Sequence, residues 1–311
     1  MASEFDLAVA GSGIAGLSAA LTGARLGLRT LCLTGDVLGG QLLSINKIDG
    51  YPGFPDGVAG YDLCPMTQEQ AVAAGAEIAA TSLAGLTLQD GRWKLATGDG
   101  EVTARGVVLA TGAGLKKLGV PGEDRLMGKG VSHCASCDAP LLRGKNAVVI
   151  GGGDSACQEA LTLAESCAKV TLLHRGAELS AQRAYRDLVQ QQANIEIKFN
   201  HVAADILGES GVTGVRVRDT SGNATADIDA AGVFIFVGLE PATAYLNGAV
   251  TLASDGRIPT DATMRTALRG VAAAGAVRAG WAGRASASAG DGAAAAIAIA
   301  DYLRHDRWRD G

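Results

Sequence analysis

No stretch of this chain is apolar for long enough to cross a bilayer. The longest candidate, Ala293 to Ala300, is ended by Asp301. A basic excess is missing too: the formal net charge of −5 argues against a nucleic-acid binder. Six cysteines in 311 residues are too few for a disulfide scaffold. Met1-Ala2-Ser3-Glu4-Phe5-Asp6 carries acids and no basic run, so no secretory signal is expected there and a cytoplasmic protein is. What the chain has in plenty is glycine, 44 positions without a collagen-like period, which implies tight turns and close backbone approaches rather than disorder. The length suffices for two domains with a sizeable core.

The glycines are not scattered evenly. Phe5 to Ala10 is a short apolar run that ends at Gly11-Ser12-Gly13-Ile14-Ala15-Gly16, and Leu17 to Leu26 follows with alanine-rich helical spacing. Strand, glycine turn and helix form the context that lifts GxGxxG above a chance match or an ordinary βα turn. The first glycine permits the turn, the second lets a pyrophosphate approach the helix N-terminus, and the third lets helix and strand pack closely. A second copy runs from Asn146 to Ile150, through Gly151-Gly152-Gly153-Asp154-Ser155-Ala156, into a helical stretch from Cys157 to Ser166. The strand after it, Lys169 to Leu173, ends at His174-Arg175. An NAD site normally places an acid there for the ribose 2′-hydroxyl, whereas a basic residue suits a 2′-phosphate, so Arg175 favours NADP unless it is merely solvated.

Each copy needs its own nucleotide-binding domain. Val107 to Leu109 closes on Ala110-Thr111-Gly112, and Gly232 to Gly238 repeats that strand pattern in the second unit. Arg269 to Leu303 reads as a strand running into glycine and then a long alanine helix, a βα unit that would return to complete the first domain. The expected fold is therefore α/β, with two Rossmann-like three-layer nucleotide-binding domains, the second inserted in the first. The boundaries expected are residues 1–114 with 245–311 for the first domain and 115–244 for the second.

Between the two lies Cys134-Ala135-Ser136-Cys137-Asp138. Cysteines two residues apart can close a small disulfide ring in which one thiol is readily activated to a thiolate. An adjacent acid can shuttle the proton that thiol–disulfide exchange consumes or releases. The same spacing serves metal knuckles and structural bridges. A zinc site would want about four ligands, and neither a second CxxC nor a His pair is present, so no metal is expected and a redox centre is favoured. Cys32, Cys157 and Cys167 sit on apolar stretches and read as buried small hydrophobes. His133 reads as a partly exposed loop histidine, Trp281 as either packing or cover for a ring, and Trp308 with its flanking charges as a solvated tail.

In order along almost the whole chain, these motifs resemble those of the low-molecular-weight thioredoxin reductase family, FAD- and NADPH-dependent pyridine nucleotide–disulfide oxidoreductases. The likeness rests on GSGIAG, Gly39-Gly40-Gln41-Leu42, Tyr51-Pro52-Gly53-Phe54-Pro55, the ATG at 110–112, CASCD, GGGDSA, His174-Arg175, and Arg284 with Ser288-Ala289-Gly290. The resemblance implies FAD in the discontinuous domain, held by Gly11, Gly13, Ile14, Ala15, Gly16, Gly40, Gln41, Leu42, Ala110, Thr111, Gly112, Gly275, Arg284 and Ala285. It implies NADPH in the inserted one, against Gly151, Gly153, Asp154, Ser155, Ala156, His174 and Arg175. Cys137 would face the flavin, Cys134 would attack the partner disulfide, and Asp138 would be the acid–base residue. Electrons would pass from NADPH through FAD and the Cys134–Cys137 disulfide to thioredoxin or a similar small disulfide. A homodimer is implied as well.

Four positions depart from the family's pattern. HRRxxxR becomes His174-Arg175-Gly176-Ala177-Glu178-Leu179-Ser180, with two phosphate-clamping arginines missing and Arg183 or Arg186 as candidate substitutes. The C-terminal GD is Gly275-Ala276, the asparagine before the aromatic-Pro-Gly stretch is Gly50, and the glutamine after Arg284 is Ala285. Asp291, placed in the loop before the last helix, is not expected to stand in for the missing acid. The departures keep alternatives open: NADH or no nicotinamide nucleotide, a ferredoxin-dependent reductase, an FAD-dependent dithiol oxidase using oxygen, or a redox or nucleotide sensor without turnover.

Overall fold

The computed structural model describes residues 4–308; Met1–Ser3 and Arg309–Gly311, and with them the first half of the acidic start and the end of the charged tail, lie outside the described residues. The chain divides into two compact units. One takes the residues up to Gly114 and again from Glu240, the other Leu115–Leu239.

The first unit opens with β1 (Glu4–Ala10), whose residues from Leu7 onward are fully buried, as a central parallel strand covered on both faces must be. After the glycine turn come α1 (Ile14–Arg25) and β2 (Thr30–Leu33), which pairs parallel to β1. Helix α2 (Gly60–Ala73) crosses to β3 (Glu77–Ala79), parallel to β2. A hairpin of β4 (Leu83–Gln89) and β5 (Arg92–Thr97) turns at Asp90-Gly91, both at positive φ (51° and 75°), as a tight hairpin turn asks. Strand β6 (Gly100–Leu109) then runs parallel to β1; its first half pairs antiparallel with β5 on the other side. The chain leaves the unit along β7 (Ala113–Leu115).

The second unit contains α3 (Glu123–Leu126), β8 (Val131–Ser132), the one-turn α4 (Ala135–Asp138), β9 (Asn146–Gly151) and α5 (Asp154–Ala164). These are followed by β10 (Lys169–Leu173), α6 (Arg183–Gln191) and β11 (Ile195–Lys198). A three-stranded antiparallel sheet of β12 (His201–Leu207), β13 (Gly214–Asp219) and β14 (Thr225–Asp229) precedes β15 (Gly232–Phe236). The parallel strands lie in the order β11-β10-β9-β15-β8. The chain returns along β16 (Leu239–Pro241), which pairs with β7. It then re-enters the first sheet as β17 (Val271–Ala273), parallel to the second half of β6, and ends in α7 (Ala285–His305). Strand and helix from the C-terminal segment thus complete the first sheet, as the sequence leads one to expect.

Small residues let α1 and α7 cross at backbone contact. A Cβ added to Gly292 would stand 1.9 Å from the carbonyl oxygen of Ala15. The few large rings lock the returning segment instead: the Trp93 indole N–H donates to Arg269 O (3.1 Å) and that of Trp308 to Thr266 O (3.0 Å). Trp308 is only 5% exposed and packs edge-on against Tyr302, with the Arg265 guanidinium over its ring. This corrects the expectation of a solvated tail, for the charges around Trp308 hide an anchor. Cys32, Cys157 and Cys167 are buried as expected. Among the described residues no helix is long and apolar enough to cross a membrane.

Candidate active site

In the first unit the glycine turn between β1 and α1 is built by contacts that exclude side chains. Gly11 has φ +107°, and a Cβ there would lie 2.3 Å from Ala110 O, so the first fingerprint touches the ATG motif. A Cβ on Gly16 would stand 1.8 Å from Gly11 O. Gly13 differs: a Cβ there would meet nothing within 4 Å, and it caps α1 without any side-chain hydrogen bond. The N-terminus of α1 thus has neither a side-chain cap nor an acid in its first turn, which leaves it suited to an anion such as a pyrophosphate. Buried Ser12 donates to Thr34 O (2.8 Å) and accepts the N–H of Gly39 (3.1 Å), and this hangs the 39–42 loop over the turn. A Cβ on Gly40 would come 3.4 Å from the Cα of Gly13. Ile14, Leu42 and Ala285 share one apolar cluster, while Gln41 and Arg284 are exposed.

Thr111 donates to Ala242 O (2.8 Å) and lies 3.3 Å from the Tyr245 hydroxyl, whose burial pushes its pKa up to about 12. Gly275, at φ +71°, packs against Ala15, where a Cβ would come 2.8 Å from the alanine methyl. Residues from four separate stretches of sequence thus converge around this turn.

Asp291 needs a correction. It lies inside α7, not in a loop before it. From there its Oδ2 accepts the N–H of Gly275 (3.2 Å) and the Nε–H of Arg278 (3.0 Å), while Oδ1 accepts from Arg278 Nη2 (3.2 Å). Both side chains are largely buried, at 11% and 14% exposure. Asp291 secures the turn in which Ala276 replaces the family's acid. Beside it, the Trp281 indole donates to Ser288 Oγ (2.8 Å), which ties that ring to α7. Removing the carboxylate leaves a part-buried guanidinium unpaired, so Asp291→Ala is expected to destabilise the protein by about 3 kcal/mol in urea unfolding. A loss below about 0.5 kcal/mol would assign the pair no more than a surface role.

In the second unit the turn between β9 and α5 repeats the design. A Cβ on Gly151 would meet Phe236 O at 2.4 Å and Ala156 at 2.8 Å; one on Gly153, the cap of α5, would meet only Ser180 Oγ at 3.9 Å. The His174 ring abuts Gly152, where a Cβ would be 2.2 Å from Nδ1, so His174 packs on the turn while Arg175 beyond it is exposed. Ser155 is exposed and Ala156 buried. Asp154 accepts both the backbone N–H and the side-chain amide of Gln182 (2.7 Å each), and Ser180 donates to Gly152 O (3.1 Å). Of the two candidate substitute arginines, Arg183 is 87% exposed and paired with Asp187, whereas Arg186 has a buried Nε without a hydrogen-bond partner.

Cys134 and Cys137 form a disulfide, with Cα atoms 5.4 Å apart, across α4. Cys134 caps this turn, and its Sγ accepts the N–H of Cys137 (3.3 Å) and lies 3.4 Å from Ser136 Oγ. Both contacts favour a thiolate on Cys134 once the bond is opened. Cys137 is exposed, Asp138 and His133 are half-buried, and His133 Nδ1 bonds Ile235 O (2.9 Å). The other thiols are disqualified by burial, which pushes Cys32 up to about 12 and Cys64 and Cys157 up to about 11, and raises Cys167. No group of three or more His, Cys, Asp or Glu among the described residues could hold a metal ion. Sequence patterns misplaced Asp291 and missed the roles of Ser12, Arg278, Gln182 and one further acid on α5, Glu159, whose Oε2 accepts the N–H of Ala135 (2.6 Å).

Two dinucleotide turns on Rossmann-type sheets, with an internal disulfide in the unit that carries the second, define a flavoprotein disulfide oxidoreductase. The family model for pyridine nucleotide-disulphide oxidoreductases matches residues 5–294, and the chain belongs to that family. The thioredoxin reductase of Treponema pallidum (strain Nichols) is 39% identical over 303 residues, covering 97% of this chain and 98% of that protein. The crystal structure of Lactococcus lactis thioredoxin reductase (FR conformation) superposes with a TM-score of 0.93 at 32% identity, over 96% of this chain and 99% of that one. That of T. acidophilum thioredoxin reductase gives 0.92 at 32% identity, over 97% and 99%. The chain is thus an oxidoreductase enzyme whose family works with a flavin and a pyridine nucleotide.

Proposed function

We propose that this enzyme is a thioredoxin-disulfide reductase that takes its reducing equivalents from NADPH. The carrying observation is the Cys134–Cys137 disulfide, set in a turn that favours a Cys134 thiolate, in a chain similar over nearly its whole length to thioredoxin reductases. FAD is assigned to the first unit, on Gly11, Gly13, Ile14, Ala15, Gly16, Gly40, Gln41, Leu42, Ala110, Thr111, Gly112, Gly275, Arg284 and Ala285. When bound, it supplies the relay of an electron pair between the pyridine nucleotide and the disulfide. The nicotinamide nucleotide is assigned to the second unit, on Gly151, Gly153, Asp154, Ser155, Ala156, His174 and Arg175.

The chain's own residues do the exchange chemistry. In the reduced enzyme the Cys134 thiolate attacks one sulfur of the substrate disulfide; that bond breaks, and the leaving sulfur takes the proton that Asp138 holds. Cys137, its proton taken by the Asp138 carboxylate left by that step, attacks Cys134 Sγ, which closes the internal disulfide and expels the second substrate sulfur as a thiolate that Asp138 protonates. A homodimer completes the reading, supported by exposed Tyr61 (52%), Met66 (39%) and Val72 (50%) on α2. Sedimentation at the monomer mass would remove that element.

Anaerobic titration of the purified protein with NADPH, NADH and dithionite, followed by the flavin spectrum, tests the whole. Bleaching by NADPH is expected. Bleaching by dithionite alone would redirect the search to a ferredoxin donor or to oxidation of a dithiol by oxygen. With Arg175 as the single cation at the end of β10, Arg175→Ala is expected to raise the KM for NADPH about tenfold, the effect of one charge-assisted hydrogen bond. The KM for NADH should stay in place. Equal changes for both nucleotides would mean that Arg175 does not read the 2′-phosphate.

A further inference from the structure

Glu159 lies outside every motif above. It sits on α5 three residues after Ala156 and four before Leu163, both buried, so it shares the apolar face of that helix. There its carboxylate is half-buried, and burial raises its pKa although the hydrogen bond from Ala135 opposes the rise. An acid in such a place is a cost to folding unless it has a task.

Among the described residues its hydrogen-bond partner is the backbone of the redox turn. Oε2 accepts the N–H of Ala135 at 2.6 Å, on the peptide that joins Cys134 to α4. Three other N–H groups of the turn are held locally: Cys134 N–H by Ser132 Oγ (3.1 Å), Cys137 N–H by Cys134 Sγ (3.3 Å) and Asp138 N–H by Cys134 O (3.3 Å). Among the described residues Glu159 is the carboxylate that α5 lends to the backbone of this turn. We propose that Glu159 is a positioning residue of the dithiol centre, fixing the Cys134–Cys137 turn through the Ala135 N–H and setting the balance between disulfide and dithiol by its negative charge.

The disulfide is uncharged, whereas the opened pair carries a thiolate that two contacts of the turn favour. A fixed negative charge against the same turn opposes that thiolate and so shifts the balance back toward the disulfide, making the pair the stronger reductant. The inference rests on reading the pair as a redox centre, and it needs no statement about which nucleotide feeds it.

The test uses the full-length, flavin-loaded protein equilibrated without oxygen in mixtures of reduced and oxidised dithiothreitol. Protein disulfide plus reduced dithiothreitol exchanges with protein dithiol plus oxidised dithiothreitol, and alkylation followed by mass measurement counts the thiols. Glu159→Gln keeps an acceptor oxygen for Ala135 and removes the charge. It is expected to move the equilibrium about tenfold toward dithiol, equivalent to about 30 mV, and Glu159→Ala is expected to move it at least as far. A Gln protein at the native equilibrium overturns the proposal, whatever the Ala protein does. Should the Gln protein not fold, Glu159→Asp withdraws the charge by one methylene and is expected to shift the equilibrium the same way by a smaller factor; no shift overturns the proposal equally. A native pair that does not exchange with dithiothreitol at all sinks the redox reading along with it, whereas a native pair that exchanges beside an unshifted variant sinks the inference alone.

Discussion

Cys137→Ser protein is expected to lose reduction of an external disulfide by on the order of 10³-fold or more, while still reducing an artificial acceptor such as ferricyanide from NADPH. The reason is stoichiometric. Two electrons are stored by opening one S–S bond, and the mixed disulfide that Cys134 makes can be released only by a second sulfur nearby. Cys137, with its Cα 5.4 Å away, is that sulfur. The four remaining cysteines are buried, with pKa values raised by burial, so none can replace it. The variant should therefore accumulate as a mixed disulfide with its partner, visible on a non-reducing gel and dissolved by dithiothreitol. Undiminished turnover of the serine protein with thioredoxin would remove the pair from the mechanism. Loss of the ferricyanide reaction as well would mean that the substitution had damaged the fold or the flavin site.

The second large effect separates two glycines of one motif. Gly13→Ala should leave the fold intact, because its φ of −64° and ψ of 173° suit any residue and its Cβ would meet no protein atom within 4 Å. Unfolding of the flavin-free proteins should differ by less than about 1 kcal/mol. The methyl group would nonetheless stand in the space proposed for the pyrophosphate, so FAD affinity should fall about a hundredfold, near 3 kcal/mol. Gly16→Ala inverts the pattern. Its Cβ would fall 1.8 Å from a backbone oxygen that cannot move alone, so stability should drop by about 2–4 kcal/mol together with flavin retention. Equal stability loss in both variants, or retention of FAD by Gly13→Ala, would count against the cradle as drawn.

What could be read from the sequence was local. The glycine turns announce themselves because strand, turn and helix are contiguous, and the return of β17 and α7 follows from an apolar strand left without neighbours of its own. Less legible were the contacts made across the fold. Asp291 looks like a loop residue because Gly290 and Gly292 flank it, but those glycines belong to a helix that must approach α1 closely. Trp308 sits among charges and reads as solvated, while the groove that receives it is built by Thr266, Arg265 and Tyr302 from other elements. Glu159 did leave a trace, an acid at the i+3 and i−4 positions of an apolar helical face, though only the fold reveals that Ala135 waits opposite. The missing arginines after His174 were visible at once. How the structure uses those positions was not: a Cβ on Gly176 would come 3.0 Å from His174 Nε2, and the Ser180 hydroxyl turns back to donate to Gly152 O.

The placement of the three tryptophans has an optical consequence. Trp93, Trp281 and Trp308 all belong to the first unit, and each indole N–H is tied to the C-terminal segment, at Arg269, Ser288 and Thr266. Intrinsic tryptophan emission is then a report from the flavin-assigned unit alone, and Leu115–Leu239 is dark to it. Far-ultraviolet circular dichroism sees helices and strands in both. A denaturation followed by the two signals together will show, from the gap between the curves or its absence, whether the inserted unit melts on its own.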